Sequence, residues 1–440
     1  MKFLHTADLH LGKVFHEHSL IEDQRHMMDQ LAEILSGGSF AALLIAGDVY
    51  DRSIPSPEAA GLFSAFLGTV KARQPDLQVL VLPGNHDSSS RLGFGRELFA
   101  ELGVHFVTRP EDAFRPVLVK SGGQDETCAF FLLPFLYPGS LSAEAGRKDD
   151  EGREAEPLRS QARLAAEAAA RLEEARLKAL AAGADYAALG AHLFAAGGLE
   201  SESERVFLGT SERVSADLFA SFDYTALGHL HRFQKAGERA WYSGSPLAYS
   251  FEEGKYEKVF LSVELEKQMP ETPEAMPGGA LRGTALTVEP IAVRPLRKLR
   301  SLRGSFDYFF RDEGKDPLLK EAENDYIEAV LTDPGLTENP LVLLRRRFPW
   351  ILSVKQGAAF SAFNSAHPEA LPGAELPGRG GERRTPVEDF EDFLREIYGG
   401  ISEGTEKIAA FTELLEELEK GGVEKGEVEK GGEEKGEVEN

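Results

Sequence analysis

The 440-residue sequence is poor in cysteine, in tryptophan and in long apolar runs. Cys128 is the only thiol, which excludes a disulfide framework and a cysteine-based zinc site and suits a reducing, cytoplasmic setting. No window approaches the roughly 18 uncharged apolar residues of a membrane span. The start, MKFLHTADLHLGK, lacks the apolar core of a secretory leader, so no membrane association is expected. Base is scarce beside acid: 49 Lys and Arg face 73 Asp and Glu, a net charge of −24. Half of that excess lies at the end, with −9 over 388–419 and −3 over 420–440. A broad phosphate-binding face would need Lys and Arg. A local anion site whose positive charge comes from metal ions remains open.

What is present is an ordinary globular composition, 42% hydrophobic and 28% charged. At roughly 100–200 residues per domain the length suits two to four domains. Short apolar runs bounded by Gly, Pro, Asn and Asp predict strands at Lys2–Thr6, Ala41–Ala46, Gln78–Leu82, Cys128–Leu133, Tyr186–Gly190, Tyr224–Leu227 and Val259–Val263. The first three are separated by helix-length segments, as βαβ units require; the later ones suggest a mixed sheet. Leu164, Ala168, Leu172, Ala175 and Ala179 form one stripe at steps of three and four, which predicts a helix over Arg159–Leu180. Three prolines and three glycines mark 269–286 as a linker after a first domain of 1–268. A small α+β unit is expected at 287–355, with strands near Leu286–Val293 and Tyr326–Leu331 and a helix near Pro340–Arg347. A second linker spans 356–386. Amphipathic helices follow within 387–420, where Ile408, Phe411, Leu415 and Leu418 keep heptad-like spacing. The degenerate repeat of 421–440 has too little apolar content to fold and reads as a disordered acidic tail.

Chemistry concentrates where apolar runs end. LHTADLH leaves Asp8 and His10, LLIAGDVYD leaves Asp48 and Asp51, VLVLPGNHD leaves Asn85, His86 and Asp87, AALGAH leaves His192, and TALGHLH leaves His229 and His231. Ligands of open α/β sheets bind outside the carboxyl ends of the strands, so these ends can meet in one crevice. Singly, a D-x-H is turn or cap chemistry, a GNHD is a turn, and a lone His192 is a satisfied core histidine. Together, in this order, they supply the nitrogen and oxygen ligands of two neighbouring divalent cations. By ligand type these are manganese, iron or zinc rather than calcium. Gly47, Gly84 and Gly228 would let the backbone turn sharply beside them.

The ordered set D-x-H, GDxxD, GNHD, a lone His and GHxH resembles the calcineurin-like metallophosphoesterase superfamily. HTADLHLGK, GDVYDRSIPSPEA, PGNHDS, and ALGHLHRFQK followed by WYSGSPLAYSFEE are similar to its bacterial DNA-nuclease branch. The likeness covers about 1–355 well and 387–419 loosely. It implies an α/β fold: a two-sheet α/β/β/α sandwich with a small α+β capping domain that covers DNA, and C-terminal helices. It further implies that Asp8, His10 and His231 hold one metal, that Asn85, His192 and His229 hold the other, and that Asp48 bridges them. His86 would be the catalytic histidine. Asp51 stands where relatives often carry a second functional histidine, and is expected instead to orient a ligand. The remaining histidines are expected to be structural.

The activity implied is a manganese-dependent nuclease that hydrolyses double-stranded ends as a 3'–5' exonuclease and hairpins as an endonuclease, in DNA repair and recombination. Two metals would neutralise the phosphodiester and acidify the attacking water. A coiled-coil ATPase would be the partner of the acidic terminal helices, and a homodimer within a heterotetramer would use Leu92–Leu102. Two other readings stay open: a phosphomonoesterase or cyclic-nucleotide phosphodiesterase with the same metal core, and a non-catalytic scaffold. Lys13, Arg52 and Arg91 follow metal motifs and either reach DNA phosphates or are ordinary surface charge. The same choice applies to Arg294, Arg297, Lys298, Arg300 and Arg303 with Arg345, Arg346 and Arg347.

Overall fold

The structure, a computed structural model, describes residues 1–121, 125–141, 158, 160–195, 214–268, 283–311, 316–335, 337–356 and 412. Two compact units are Met1–Ala366 and His367–Asn440, and only Thr412 of the second is described. The expected helices of 387–420, the tail of 421–440 and nearly all of the 356–386 linker therefore lie outside the described residues.

Alternation builds the first unit. In Lys2–Thr6, Ala42–Ala46 and Gln78–Leu82, Phe3, Leu44, Leu80 and Leu82 face one core while Leu4, Leu43, Ile45, Val79 and Val81 face another. Thr127–Leu133 and Tyr186–His192 split likewise: Phe130, Leu132 and Tyr186 join the first of these cores, and Phe131, Leu133 and Leu189 a third. Period-two apolar faces on both sides of a strand require cover on both sides. The shared core is therefore the layer between two six-stranded sheets. The helices Ile21–Gly37 and Pro57–Arg73 cover the first sheet, and Gln161–Ala181 covers the second. This is the expected α/β/β/α sandwich. Ser56 and Ser160 cap two of these helices by accepting from Ala59 N and Arg163 N, each at 3.2 Å.

Both sheets are mixed. Four parallel strands of the first, Lys2–Thr6, Ala42–Ala46, Gln78–Leu82 and Val104–Phe106, are extended by Val259–Lys267, antiparallel to Lys2–Thr6. Thr284–Ala292 pairs with Val259–Lys267 over nine residues. This strand was expected in the small unit; its full ladder puts it on the edge of the large sheet. The small unit is instead a three-stranded parallel sheet of Leu299–Gly304, Tyr326–Leu331 and Ile351–Gln356, with short helices including Pro340–Leu344. It has its own core around Phe309, Leu319, Ile327, Leu344 and Phe348. Phe309 is fully buried there. Phe309→Ala should cost about 3–5 kcal/mol, checked by denaturant unfolding.

The two parts are joined at Asp23, on the first turn of Ile21–Gly37. Its carboxylate accepts from Tyr326 Oη at 2.7 Å and Arg297 Nη1 at 3.1 Å. Arg297 also lies 3.9 Å from the Trp350 ring centroid. Among the described residues, no helix is long and apolar enough to cross a membrane.

Candidate metal centre

The loops after the first two strands are stitched together. Asp8 N donates to Gly47 O, His10 N to Asp48 O and Leu11 N to Val49 O, at 2.9–3.0 Å. This places both acidic motifs at the same sheet edge, and it does so under strain. Asp8 (φ 54°), His10 (φ 43°), Asp48 (φ 49°) and His229 (φ 108°) all have left-handed backbone without being glycine. Such residues cost on the order of 1–3 kcal/mol each and persist only where surroundings over-determine them. Here they do: Gln24, fully buried, donates to His10 O at 2.7 Å and accepts from Gly12 N at 2.8 Å.

All seven expected ligands come together. Asp8, His10 and His231 offer atoms within 4.8 Å of one another, as do Asp8, Asp48 and His192. Asn85 Oδ1 lies 3.0 Å from both His192 Nε2 and His229 Nδ1. Asp48 Oδ2 is 3.7 Å from His10 Nε2 and 3.5 Å from His192 Nε2, between the two groups. His86 joins a further cluster with His10 and Asp48 within 4.8 Å, its backbone N–H donating to Asp48 Oδ1 at 2.9 Å. Its Nδ1 donates to Asp51 O at 2.9 Å, since a carbonyl only accepts.

The donor atoms fit cations. His192 Nδ1 donates to the Ala46 carbonyl at 2.9 Å, which leaves its lone pair on Nε2, facing the carboxylate and amide oxygens. His10 and His231 present Nε2 to Nε2 at 3.1 Å. Among the described residues, His10 Nδ1 and His229 Nε2 are buried without a hydrogen-bond partner. Burial pushes the His229 imidazole down to about 3. It also drives His10 well below its ordinary value, helped by electrostatic repulsion from the neighbouring His231, His86 and Lys13 side chains. Burial lowers His192 against the pull of Asp48. Buried imidazoles held neutral beside carboxylates are suited by their chemistry to a divalent cation.

The glycines serve a different purpose from the one expected. Of the three, Gly47 alone has positive φ, at 93°. Gly84 and Gly228 are there for close approach. A Cβ on Gly84 would sit 2.1 Å from Asp48 Oδ1, and one on Gly228 would sit 1.8 Å from Ala46 O.

Asp51 ion-pairs with Lys13 Nζ at 2.8 Å and lies 3.6 Å from His10 Nδ1. Lys13 is therefore held by an acid beside the site. Arg52 is 75% exposed in its side chain, and Arg91 is exposed above an apolar hollow lined by Leu92, Phe94 and Phe99. Within the basic run, Arg297, Arg300 and Arg347 are spent on Asp23, Asp325 and Glu323. Arg294, Lys298, Arg303, Arg345 and Arg346 are exposed.

Sequence reasoning missed the braces. Asp87 accepts from Val49 N, Tyr50 N and Gly84 N at 2.9–3.0 Å, tying the second and third motifs together. Burial, and then the Asp48 charge, raise its carboxyl to about 7 against these donors. Tyr137 donates to Asn85 O at 2.9 Å. Tyr249 Oη donates to Leu9 O. Glu253 faces His231 Nδ1 at 3.2 Å. Burial acts to raise the Glu253 carboxyl, yet Lys258 and His231 hold it well below the usual range. Asp87 was visible as the last letter of GNHD; no signal marked Glu253 beyond its place in SFEE.

Residues 1–164 match the family model described as calcineurin-like phosphoesterase. A protein of Staphylococcus saprophyticus, named as a subunit of the nuclease SbcCD, is 28% identical over 96% of this chain and 100% of its own length. One of the same name from Bacillus subtilis is 28% identical over 96% of this chain and 99% of its own. A third, from Staphylococcus epidermidis, is 28% identical over 84% of this chain and 89% of its own.

Proposed function

We propose that the chain is the metal-dependent nuclease subunit of an SbcCD-type complex, a reading supported by the match of residues 1–164 to the calcineurin-like phosphoesterase model. The carrying observation is the convergence of Asp8, His10, Asp48, Asn85, His192, His229 and His231 from five strand ends. The relatives' shared name supplies the substrate class. Asp8, His10 and His231 would hold one divalent cation, Asn85, His192 and His229 a second, with Asp48 shared. A thiolate-free set of imidazole, carboxylate and amide suits manganese. When bound, such a pair neutralises charge on the phosphodiester and lowers the pKa of nearby water.

The chain's own groups do the rest. The Asp51 carbonyl holds the His86 proton on Nδ1, so Nε2 is the atom that can gain and give one. A water that has released one proton to solvent bonds through its oxygen to phosphorus as the ester P–O bond breaks, and the departing oxygen takes the proton carried on His86 Nε2. The strained, hydrogen-bonded motif loops keep this array from reorganising during the reaction. Arg52 and Lys13 stand next to the array and would meet flanking phosphates.

The substrates proposed are double-stranded ends, digested 3'–5', and DNA hairpins. The partner is the SbcC ATPase, met through 387–420. Phe94, Leu98 and Leu102 are 84, 76 and 61% exposed at steps of four, which supports a second copy of the chain as their cover.

Purified chain should take up two Mn²⁺ and cut hairpin DNA. Turnover of a cyclic nucleotide in place of DNA would overturn the nuclease reading, and binding of no metal would overturn the site.

A further inference from the structure

Behind His231 lies a buried acid that the motifs did not mark. Glu253 is fully buried at the start of the turn Glu253–Lys255. Its Oε1 lies 3.2 Å from His231 Nδ1. Its Oε2 accepts from Lys258 Nζ at 2.7 Å, Tyr249 N at 3.2 Å and Ser245 Oγ at 3.3 Å. Lys258 Nζ also reaches Ser245 Oγ at 2.8 Å and His231 O at 3.0 Å. A carboxylate gripped from several directions cannot rotate.

An ionised carboxylate only accepts, so His231 Nδ1 must donate to it, and the lone pair of His231 is left on Nε2. That atom is the one 3.1 Å from His10 Nε2, inside the first cluster. We propose that Glu253 is a positioning residue for the cation held by Asp8, His10 and His231. It sets the tautomer and ring plane of His231, and Lys258 keeps its carboxylate in register. The inference rests on the two-cation reading above and deepens it.

The brace is itself anchored by the small unit. A Cβ on Gly254 would lie 2.2 Å from Leu299 O, so the turn that carries Glu253 sits directly against the first strand of that unit. Docking of the small unit and orientation of His231 thus share one segment of chain.

A merely structural ion pair would lower stability alike with and without metal. A positioning carboxylate acts on one cation and not the other. The test is calorimetric titration of the metal-free full chain with Mn²⁺. Wild type should bind two ions. Glu253→Gln keeps the shape but weakens the grip on Nδ1, and should weaken one ion by about 10–100-fold while leaving the other nearly unchanged. In the same variant, ¹⁵N shifts of the His231 ring should lose the signature of a proton held on Nδ1. Should Glu253→Gln not fold, the Glu253→Gln, Lys258→Met double variant removes both buried charges and is read in the same way. Unchanged affinities for both ions in a folded variant overturn the role of Glu253. A wild-type chain that binds no ion overturns the two-cation reading, and the positioning role with it.

Discussion

A His86→Ala chain should fold, take up both cations and hydrolyse DNA roughly 10²–10⁴-fold more slowly, the range expected for loss of a general acid. The substitution separates the two things His86 does. Its backbone N–H holds Asp48 Oδ1 at 2.9 Å, and alanine keeps that bond. Its ring donates to Asp51 O and packs edge-on against His10, with centroids 4.8 Å apart, and alanine loses both. The shared carboxylate therefore stays placed while the proton donor goes. The measurement is single-turnover cleavage at saturating DNA, paired with metal content. Wild-type activity would end the assignment. Loss of one cation would show His86 to be a ligand, the role its cluster with His10 and Asp48 also permits.

Much of this site was legible because a strand end is a local signal. Apolar runs such as LLIA and VLVL stop at Gly-Asp and Pro-Gly-Asn, and the polar residue that follows must sit at the sheet edge. Sandwich packing then decides which edges meet. What stayed hidden was set by contacts between distant residues. Nothing near Glu253 says that it will lie behind His231, 22 positions earlier. Thr284–Ala292 alternates like any edge strand, and only its pairing with Val259–Lys267 decides which sheet it joins. The basic run 294–303 looked like a phosphate-binding face because its acids are remote in sequence. Arg297 meets Asp23 across the joint between the two parts and Arg300 meets Asp325 within the small unit, so ion pairs consume charge that a linear reading leaves free. Tyr326, a predicted strand residue, also turned out to be half of that joint through its hydroxyl on Asp23.

One substitution, made at two glycines, should move stability in opposite directions. Gly61 lies on the exposed face of the helix Pro57–Arg73, and a Cβ there meets nothing within 4 Å. Gly61→Ala should stabilise the chain by about 0.5–1 kcal/mol, because it narrows the unfolded ensemble and favours helix. Gly228 ends the strand Tyr224–Gly228, where a Cβ would lie 1.8 Å from Ala46 O and 2.8 Å from His192 Nδ1. Both are parts of the centre: the Ala46 carbonyl accepts from His192 Nδ1 and fixes its tautomer. Neither backbone nor a braced imidazole can yield cheaply, so Gly228→Ala must push the two sheets apart at their metal-facing edge. A cost of about 3 kcal/mol, the upper part of the usual overpacking range, would lower the melting temperature by roughly 4–5 °C. It should also weaken the cation assigned to Asn85, His192 and His229, which a distant packing defect would leave alone. Thermal unfolding with and without Mn²⁺ checks both arms. Equal melting temperatures for Gly228→Ala and wild type would mean that the sheet edges are not in the contact that brings the five motifs together.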